Sequence, residues 1–296
     1  MTYGSMEASF VPATLSERVR PLSFLSQRGR SGSEPRRASG RRAKKRFRRS
    51  VVRRADQIGA AEWERLMPKL VSIYQERFGG LDAATIADEI VWRGEQTHLV
   101  LLYGPEGELG GFASFCPQRI EVDGRSYHVF DSGAFARKGY SGANERLARH
   151  LLLGGLREKI RRPWLRMHFV VACASPAAYR LLARNAACMY PRHDLPCPPV
   201  WLRLVQAVSE ARGMQPVEGE PRLVHHEAIF RDPVRSSMSH THDHDPHVEF
   251  FKRINPRYTE PRLLLTHVPL TLGNLVASCV PALRPAYLRW LRRPKR

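Results

Sequence analysis

The chain has 296 residues, 43% of them hydrophobic, which is enough to bury a sizeable core in one large domain with extensions. Its net charge of +20 is concentrated at the two ends: Arg28–Arg54 holds thirteen basic residues and one acid, and Arg284–Arg296 holds six basic residues and no acid. Residues 1–27 are neutral, so +2 remains for residues 55–283. This distribution argues against a DNA-reading surface on the folded body.

Residues 1–54 are rich in Gly, Ser, Pro and Arg and show little apolar periodicity, so we expect a disordered basic tail. Such a tail binds polyanions without sequence specificity, and an organellar transit peptide is the alternative for the same composition. The first residues lack the apolar segment of a secretory signal, and the five cysteines are scattered without CxxC spacing. These features predict reduced thiols and a cytoplasmic protein.

The first ordered elements are two helices. Apolar side chains at helical spacing run over Ala60–Phe78, and Gly79-Gly80 supplies the stop signal. A second helix is predicted over Leu81–Arg93, with Asp82 as its N-cap.

The period then changes to that of strands. The predicted strands are Thr97–Tyr103, Leu109–Val122, Tyr127–Ala136 and the apolar run Trp164–Ala174. Asp123-Gly124 is a strong hairpin signal between the second and third strands.

A basic turn follows the third of these strands. It contains Arg137-Lys138-Gly139-Tyr140-Ser141-Gly142 and leads into a helix over Ala143–Ile160. Main-chain N–H groups at the start of a helix, close to arginine, favour a bound phosphate. After the strand Trp164–Ala174, Ser175-Pro176 starts another helix, with Ser at the cap and Pro at the first position.

Beyond residue 195 the pattern is weaker. We expect a helix over Val200–Ala211, a strand over His225–Phe230, a polar loop over Ser236–His247 and a helix over Glu249–Ile254. Leu263–Leu283 has no charged residue but is broken by Pro269 and Pro281, so a buried strand is favoured over a transmembrane span. The basic end after it is amphipathic and suits an anionic membrane surface, which allows a peripheral membrane location.

The order of these elements resembles the GNAT superfamily of acyl-CoA N-acyltransferases over about residues 56–195. Arg137–Ala143 (RKGYSGA) is similar to the arginine/glycine loop of that family, although its glycines follow Arg137 at two and five residues. Ala174–Leu182 (ASPAAYRLL) is similar to the segment that follows the fifth strand of the family.

The resemblance implies an α/β (α+β) fold, with a GNAT-like mixed central sheet flanked by helices and strands splayed at the cofactor site. It also implies three regions. These are a disordered basic tail at 1–54, an acyltransferase core at 55–195, and a C-terminal extension at 196–296 that packs on the core.

The function that the resemblance implies is transfer of an acetyl or longer acyl group from acyl-CoA to an amine by direct attack, without a metal. CoA is expected along the split between the strands Tyr127–Ala136 and Trp164–Ala174, which match the fourth and fifth strands of the family, with its pyrophosphate on the main-chain amides of Gly139–Ala143. The expected cofactor-binding residues are Phe135, Ala136, Arg137, Lys138, Gly139, Tyr140, Ser141, Gly142, Ala143 and Ser175.

Three residues are candidates for catalysis. Asp131 and Ser132 lie in the predicted strand beside the basic turn, and Asp131 could accept the amine proton, directly or through water. A hydrogen-bonded strand carboxylate is the alternative for Asp131. Tyr179 is the tyrosine nearest to Leu182, where many family members carry a hydroxyl that protonates the thiolate; core packing is the alternative for Tyr179.

Two further alternatives stay open. The irregular glycine spacing also fits a GNAT-shaped binding module that does not bind CoA. Such a module would dock to nucleic acid or to an anionic membrane through its basic ends. The segment His240–His247 contains four histidines and two aspartates, but an exposed loop with adventitious metal binding is favoured over a specific site.

Overall fold

The computed structural model describes residues 45–141, 143–231, 244–280 and 283–292, which lie in one compact unit, Ala43–Arg296. Its strands are β1 (Lys45–Arg46), β2 (Arg49–Arg54), β3 (Phe78–Gly79), β4 (His98–Tyr103), β5 (Leu109–Val122), β6 (Arg125–Ala136), β7 (Tyr140–Ser141), β8 (Met167–Cys173), β9 (Pro216–Val217), β10 (Glu220–His225), β11 (Ile229–Phe230) and β12 (Arg262–Pro269). Its helices are α1 (Ala60–Gln75), α2 (Ala83–Thr85, continued as a π-helix over Ile86–Val91), α3 (Ala143–Arg161), α4 (Pro176–Asn185), α5 (Pro199–Ala211), α6 (Pro246–Ile254), α7 (Leu272–Cys279) and α8 (Arg284–Leu291).

An eight-stranded sheet has the order β2-β4-β5-β6-β8-β12-β10-β9. Its described neighbours pair antiparallel except β6 and β8, which pair in parallel and are connected through α3. A parallel connection requires such a crossover. The predicted mixed central sheet flanked by helices is therefore confirmed.

The parallel pair is short. β6 and β8 are in register from His128 and Met167 to Ser132 and Val171, and then they separate. Beyond that point β6 continues to Ala136 against β5, while β8 continues against β12. The end of the parallel ladder opens the sheet between its two central strands.

The core lies on both faces of the sheet. On β8, Phe169 packs in the apolar cluster that includes α4 and α6, whereas Val170 packs against Leu204 of α5 on the other face. Helix α1 covers a second region, where Leu70 and Ile73 pack with residues of β4 and β5. A strand that is buried on both faces has a continuous apolar sequence, which is why β8 was predictable.

The N-terminal boundary of the folded body differs from the prediction. Arg49–Arg54 was expected in the disordered tail but forms β2, which pairs with β4 along its full length. Phe47 is 3% exposed and stacks on Tyr140 with ring centroids 4.7 Å apart. Charged side chains are common on strands at the edge of a sheet. The basic residues that suggested disorder therefore include those of β2, an edge strand of the eight-stranded sheet. Residues 1–44 lie outside the described part.

The C-terminal region joins the sheet. β12 pairs with β8, and β10 pairs with β12, so residues after 195 extend the sheet and do not merely pack on it. The predicted strand His225–Phe230 is wrong in its bounds, because β10 ends at His225 and β11 pairs with β3. Within the described ranges, no helix has the length and apolar character that a membrane crossing requires.

Candidate functional site

A cavity of about 70 Å³ lies where β6 and β8 separate. The two strands line it with Ser132, Gly133, Phe135 and Ala172. Other apolar lining residues are Phe78, Ile90, Ala174, Met214 and Leu263, and the polar ones are Tyr74, Arg93, Arg212 and His226. Residues from both halves of the chain therefore meet at the gap in the sheet.

Asp131 lies beside this cavity between two arginines. It is 1% exposed, its Oδ2 contacts Nη1 of Arg93, and its Oδ1 accepts a hydrogen bond of 3.0 Å from Nη1 of Arg212. Both carboxylate oxygens are thus engaged, and burial lowers the pKa of Arg212. The structure favours the hydrogen-bonded strand carboxylate over the proton acceptor for Asp131, because a paired buried carboxylate is costly to separate from its cations.

His226 and Tyr74 form a second polar pair in the cavity. The Nε2 atom of His226 lies 3.4 Å from the hydroxyl of Tyr74. Burial, followed by the charges of Arg212 and Arg93, lowers the pKa of His226 to about 4, so its imidazole is neutral at neutral pH. Burial also raises the pKa of Tyr74. Sequence reasoning missed this pair, since 152 residues separate its members and neither carries a local motif.

The basic turn does not present free amides at its start. The N–H of Arg137 donates to the carbonyl of Gly110 at 2.9 Å, and the N–H of Lys138 donates to Oε2 of Glu76 at 2.9 Å. The guanidinium of Arg137 contacts Oε1 of Glu76 and donates through Nε to the carbonyl of Leu109 at 3.2 Å. Arg137 and Lys138 therefore already hold an anion, which is a carboxylate of this chain.

The end of the turn contacts the N-terminal strand. Gly139 has φ +90°, and its carbonyl accepts a hydrogen bond of 3.0 Å from the N–H of Lys45. The Tyr140 hydroxyl contacts Oε1 of Glu108, and this bond, with that of Lys45, lowers the pKa of Glu108 to about 2. Tyr140 and Ser141 pair with β1 as strand β7. The N–H of Tyr140 donates to the carbonyl of Arg137 at 3.4 Å, so one amide of the expected cradle is already engaged, and Gly142 lies outside the described residues.

The same turn borders a larger surface cavity of about 360 Å³. Lys69 and Arg137 line it together with Tyr103 and Glu108. Two cations beside an open cavity of this size are compatible with a phosphate-bearing ligand, although Glu108 contributes an opposing charge.

The remaining predicted residues lie at different places. Ser175 caps α4 as expected, since its Oγ accepts the N–H of Ala178 at 3.3 Å. The carbonyl of Ala136 accepts a hydrogen bond from Nε of Arg77 at 3.4 Å. Tyr179 is fully buried and donates its hydroxyl to the carbonyl of Pro191 at 2.9 Å, away from the cavity. The core-packing alternative is therefore the correct one for Tyr179.

The histidine-rich segment is described only from His244 onward. Asp245 caps α6 and accepts a hydrogen bond of 2.6 Å from Nε of Arg180. No group of His, Cys, Asp or Glu within the described ranges is arranged to hold a metal ion.

The parallel pair that separates, its crossover helix and the antiparallel strands on either side are the features that the resemblance implied. The fold is GNAT-like.

No protein-family profile matches this chain, and no curated protein matches it. Solved structures with a partial likeness include a probable N-acyltransferase from Enterococcus faecalis (12% identity, TM-score 0.33, 45% of this chain and 31% of that chain). TofI in a ternary complex with an inhibitor and MTA gives 14% identity and a TM-score of 0.40, over 80% of this chain and 100% of that one. A GNAT-family N-acetyltransferase of Escherichia coli in complex with CoA gives 18% identity and a TM-score of 0.30, over 54% and 78%. This chain thus spans about a third of the Enterococcus protein.

Proposed function

We propose that the protein is an acyl-CoA-dependent N-acyltransferase that transfers an acetyl or longer acyl group to an amine. The observation that carries the proposal is the separation of β6 and β8 beyond Ser132 and Val171, with a cavity at the gap. Where a ladder ends, the strand edges offer N–H and C=O groups. The amide groups of a pantetheine arm can pair with such edges as an added strand does.

In the proposed reaction the amine attacks the thioester carbonyl carbon. The C–N bond forms, the C–S bond breaks, and the thiolate leaves with the electron pair. The amine proton needs an acceptor, which we assign to His226, because it lines the cavity as a neutral imidazole while both oxygens of Asp131 are engaged. Arg93 and Arg212 exceed the charge of Asp131 by one, which favours negative charge that develops nearby.

The diphosphate of CoA is proposed to bind at Arg137 and Lys138. These residues hold the Glu76 carboxylate, so the phosphate must replace an internal anion of the same charge type. Lys69 lines the neighbouring cavity and adds a cation.

The proposal is tested with the full chain by thermal shift with acetyl-CoA and a long-chain acyl-CoA, and by release of free thiol in the presence of mixed amines. We expect a rise in Tm and thiol release with at least one thioester. Arg137→Gln should reduce the Tm rise, whereas Arg119→Gln, an exposed residue on β5 that pairs with Glu121, should not.

Absence of both a Tm rise and thiol release with either thioester would refute the enzyme. The non-enzymatic binding module would then remain.

A further inference from the structure

The cluster Arg93–Asp131–Arg212 has an excess of one positive charge. The side chains of Arg93 and Arg212 are 7% and 15% exposed, and Asp131 is their acidic partner. No acidic side chain of the described residues lines the cavity that both arginines face. The carboxylate of Glu89 attracts Arg212 electrostatically, but its side chain is exposed and does not line the cavity. A buried charge without a counterion is strongly disfavoured, so the cavity favours an anion.

The two guanidinium groups also keep hydrogen-bond donors for a ligand. In the described part of the chain, the bonds of Arg93 are from Nη1 to Asp131 and from Nε to the carbonyl of Ile90. In the same part of the chain, the guanidinium of Arg212 donates from Nη1 to Asp131. Nη2 of Arg93 lies over Gly133, where a Cβ atom would come within 2.8 Å of it. The absence of a side chain at position 133 leaves this nitrogen room at the cavity.

The size and the lining of the cavity limit the ligand. A cavity needs about 10–15 Å³ of this kind of volume to hold one water molecule, so 70 Å³ holds a small organic anion of a few non-hydrogen atoms. Phe78, Phe135 and Met214 supply apolar walls to the same cavity. A small carboxylate with a short apolar part fits this combination, because a guanidinium fork matches the two oxygens of a carboxylate.

We propose that Arg93 and Arg212 bind the carboxylate of a small organic acid in this cavity. The identity of the acyl acceptor rests on the proposed function: it is an amine that carries a carboxylate, as amino acids do. The carboxylate could instead belong to the acyl group of the thioester, and the experiment separates these two sources.

The test measures calorimetric binding of three matched probes to the full chain without any thioester, at constant ionic strength. The probes are alanine, ethylamine (alanine without its carboxylate) and propionate (alanine without its amine). We expect alanine and propionate to bind and ethylamine not to bind. Binding of propionate without alanine assigns the carboxylate to the acyl group. Equal binding of ethylamine and alanine, or heat from chloride alone at the same ionic strength, would overturn the site.

Substitutions in the cluster provide a second test of carboxylate binding. Arg212→Gln leaves the Arg93–Asp131 pair intact and should weaken carboxylate binding by about tenfold or more, since hydrogen bonds to charged groups are lost. Arg203→Gln on α5, the helix that Arg212 follows directly, is the matched control, because Arg203 pairs with Asp123 on the surface. Asp131→Asn raises the cluster charge to two and should tighten binding. Wild-type affinity in Arg212→Gln would refute the assignment.

This result is independent of catalysis. Should carboxylates bind but no thioester release thiol, the site stands and the proposed function fails. Should thiol be released with amines that lack a carboxylate, while neither alanine nor propionate binds, the function stands and the site fails.

A second inference comes from an exposed apolar stripe on α3 and the turn after it. Leu153, Ile160 and Trp164 are 51%, 64% and 73% exposed. Leu153 and Ile160 are seven residues apart, so they lie on one side of the helix. Arg157, between these two residues, and Arg161, directly after Ile160, are also exposed. A mixture of exposed Trp, aliphatic and Arg side chains is typical of helices that bind the membrane interface.

The C-terminal helices expose two further apolar side chains. Helix α7 packs beside α3 and exposes Val276, and Trp290 on α8 is 62% exposed. Arg289, next to Trp290, is also exposed. We infer that the exposed stripe of α3 and the turn after it bind the surface of an anionic bilayer, because apolar side chains and the exposed Arg157 and Arg161 occur together there.

Sedimentation with lipid vesicles tests this inference. The full chain should bind vesicles of phosphatidylcholine mixed with phosphatidylglycerol, and bind less to phosphatidylcholine alone. Ile160→Ser with Trp164→Ser should reduce the bound fraction several-fold, whereas Val52→Ser, an exposed position on β2, should not. Equal binding of the double variant and the wild type would overturn the assignment.

Discussion

The carboxylate of Glu76 accepts the main-chain N–H of Lys138 at 2.9 Å, and its other oxygen contacts the guanidinium of Arg137. The side chain that directly follows α1 thus occupies donors that the sequence suggested for a phosphate. Both groups are partly exposed, so the pair is screened and can be displaced by a stronger anion.

Glu76→Gln should therefore increase the affinity for inorganic pyrophosphate and for CoA by several-fold, because the competing charge is removed while the side-chain size is kept. Isothermal titration measures this effect. Glu64→Gln, at an exposed position on α1, the helix that Glu76 follows, is the control. Unchanged or weaker binding in Glu76→Gln would show that Arg137 and Lys138 are not an anion site.

Tyr179→Phe should reduce stability and leave acyl transfer unchanged. The substitution removes a buried hydroxyl that donates to the carbonyl of Pro191, which costs about 1 kcal/mol or more. Urea unfolding measures the loss, and Tyr258→Phe, a half-buried tyrosine, serves as the comparison. A large fall in kcat with unchanged stability would instead restore the general-acid role for Tyr179.

Gly133→Ala should destabilise the protein by about 1–3 kcal/mol, because a Cβ atom there would lie 2.8 Å from Nη2 of Arg93 and 3.0 Å from the ring of Phe135. Gly154→Ala in the exposed part of α3 meets no atom within 4 Å and should stabilise by up to about 1 kcal/mol. Urea unfolding of both variants compares the two. Equal stability of the two variants would mean that Arg93 and Phe135 move to accommodate the added methyl group at little cost.

The buried histidines predict a loss of stability in acid. His267 is 1% exposed, and burial lowers its pKa to about 3. Below pH 6.5 the unfolded chain binds a proton at this residue while the folded chain does not, so stability falls as the pH falls towards 3. One such group accounts for about 2 kcal/mol between pH 6.5 and pH 5.

His267→Phe should accordingly reduce the difference in the free energy of unfolding between pH 7 and pH 5. His225→Gln on the exposed part of β10 should leave that difference as in the wild type. His168 is buried nearby with its pKa also lowered by burial, so part of the acid loss persists in the His267 variant. An unchanged pH dependence in His267→Phe would contradict the assignment.

Local chemistry made several elements predictable from the sequence. The Asp123-Gly124 turn has positive φ at both residues, +50° and +68°, as the hairpin signal requires. Asp82 and Ser175 cap their helices, because each side-chain oxygen reaches an N–H three residues away. The long strands β5 and β6 follow their apolar periodicity.

The sequence by itself thus determined the order of elements around α1, β4–β6, α3 and β8, whose signals lie within a few residues of one another. Only the tertiary structure decided the site. Asp131 meets Arg93 across 38 residues and Arg212 across 81, and Glu76 meets Lys138 across 62. Such pairs depend on which elements lie beside one another in the fold, and sequence periodicity carries no information on that. The edge strand β2 was missed for a related reason. Its basic residues resemble those of a disordered tail, and only its pairing with β4 shows that they form a strand.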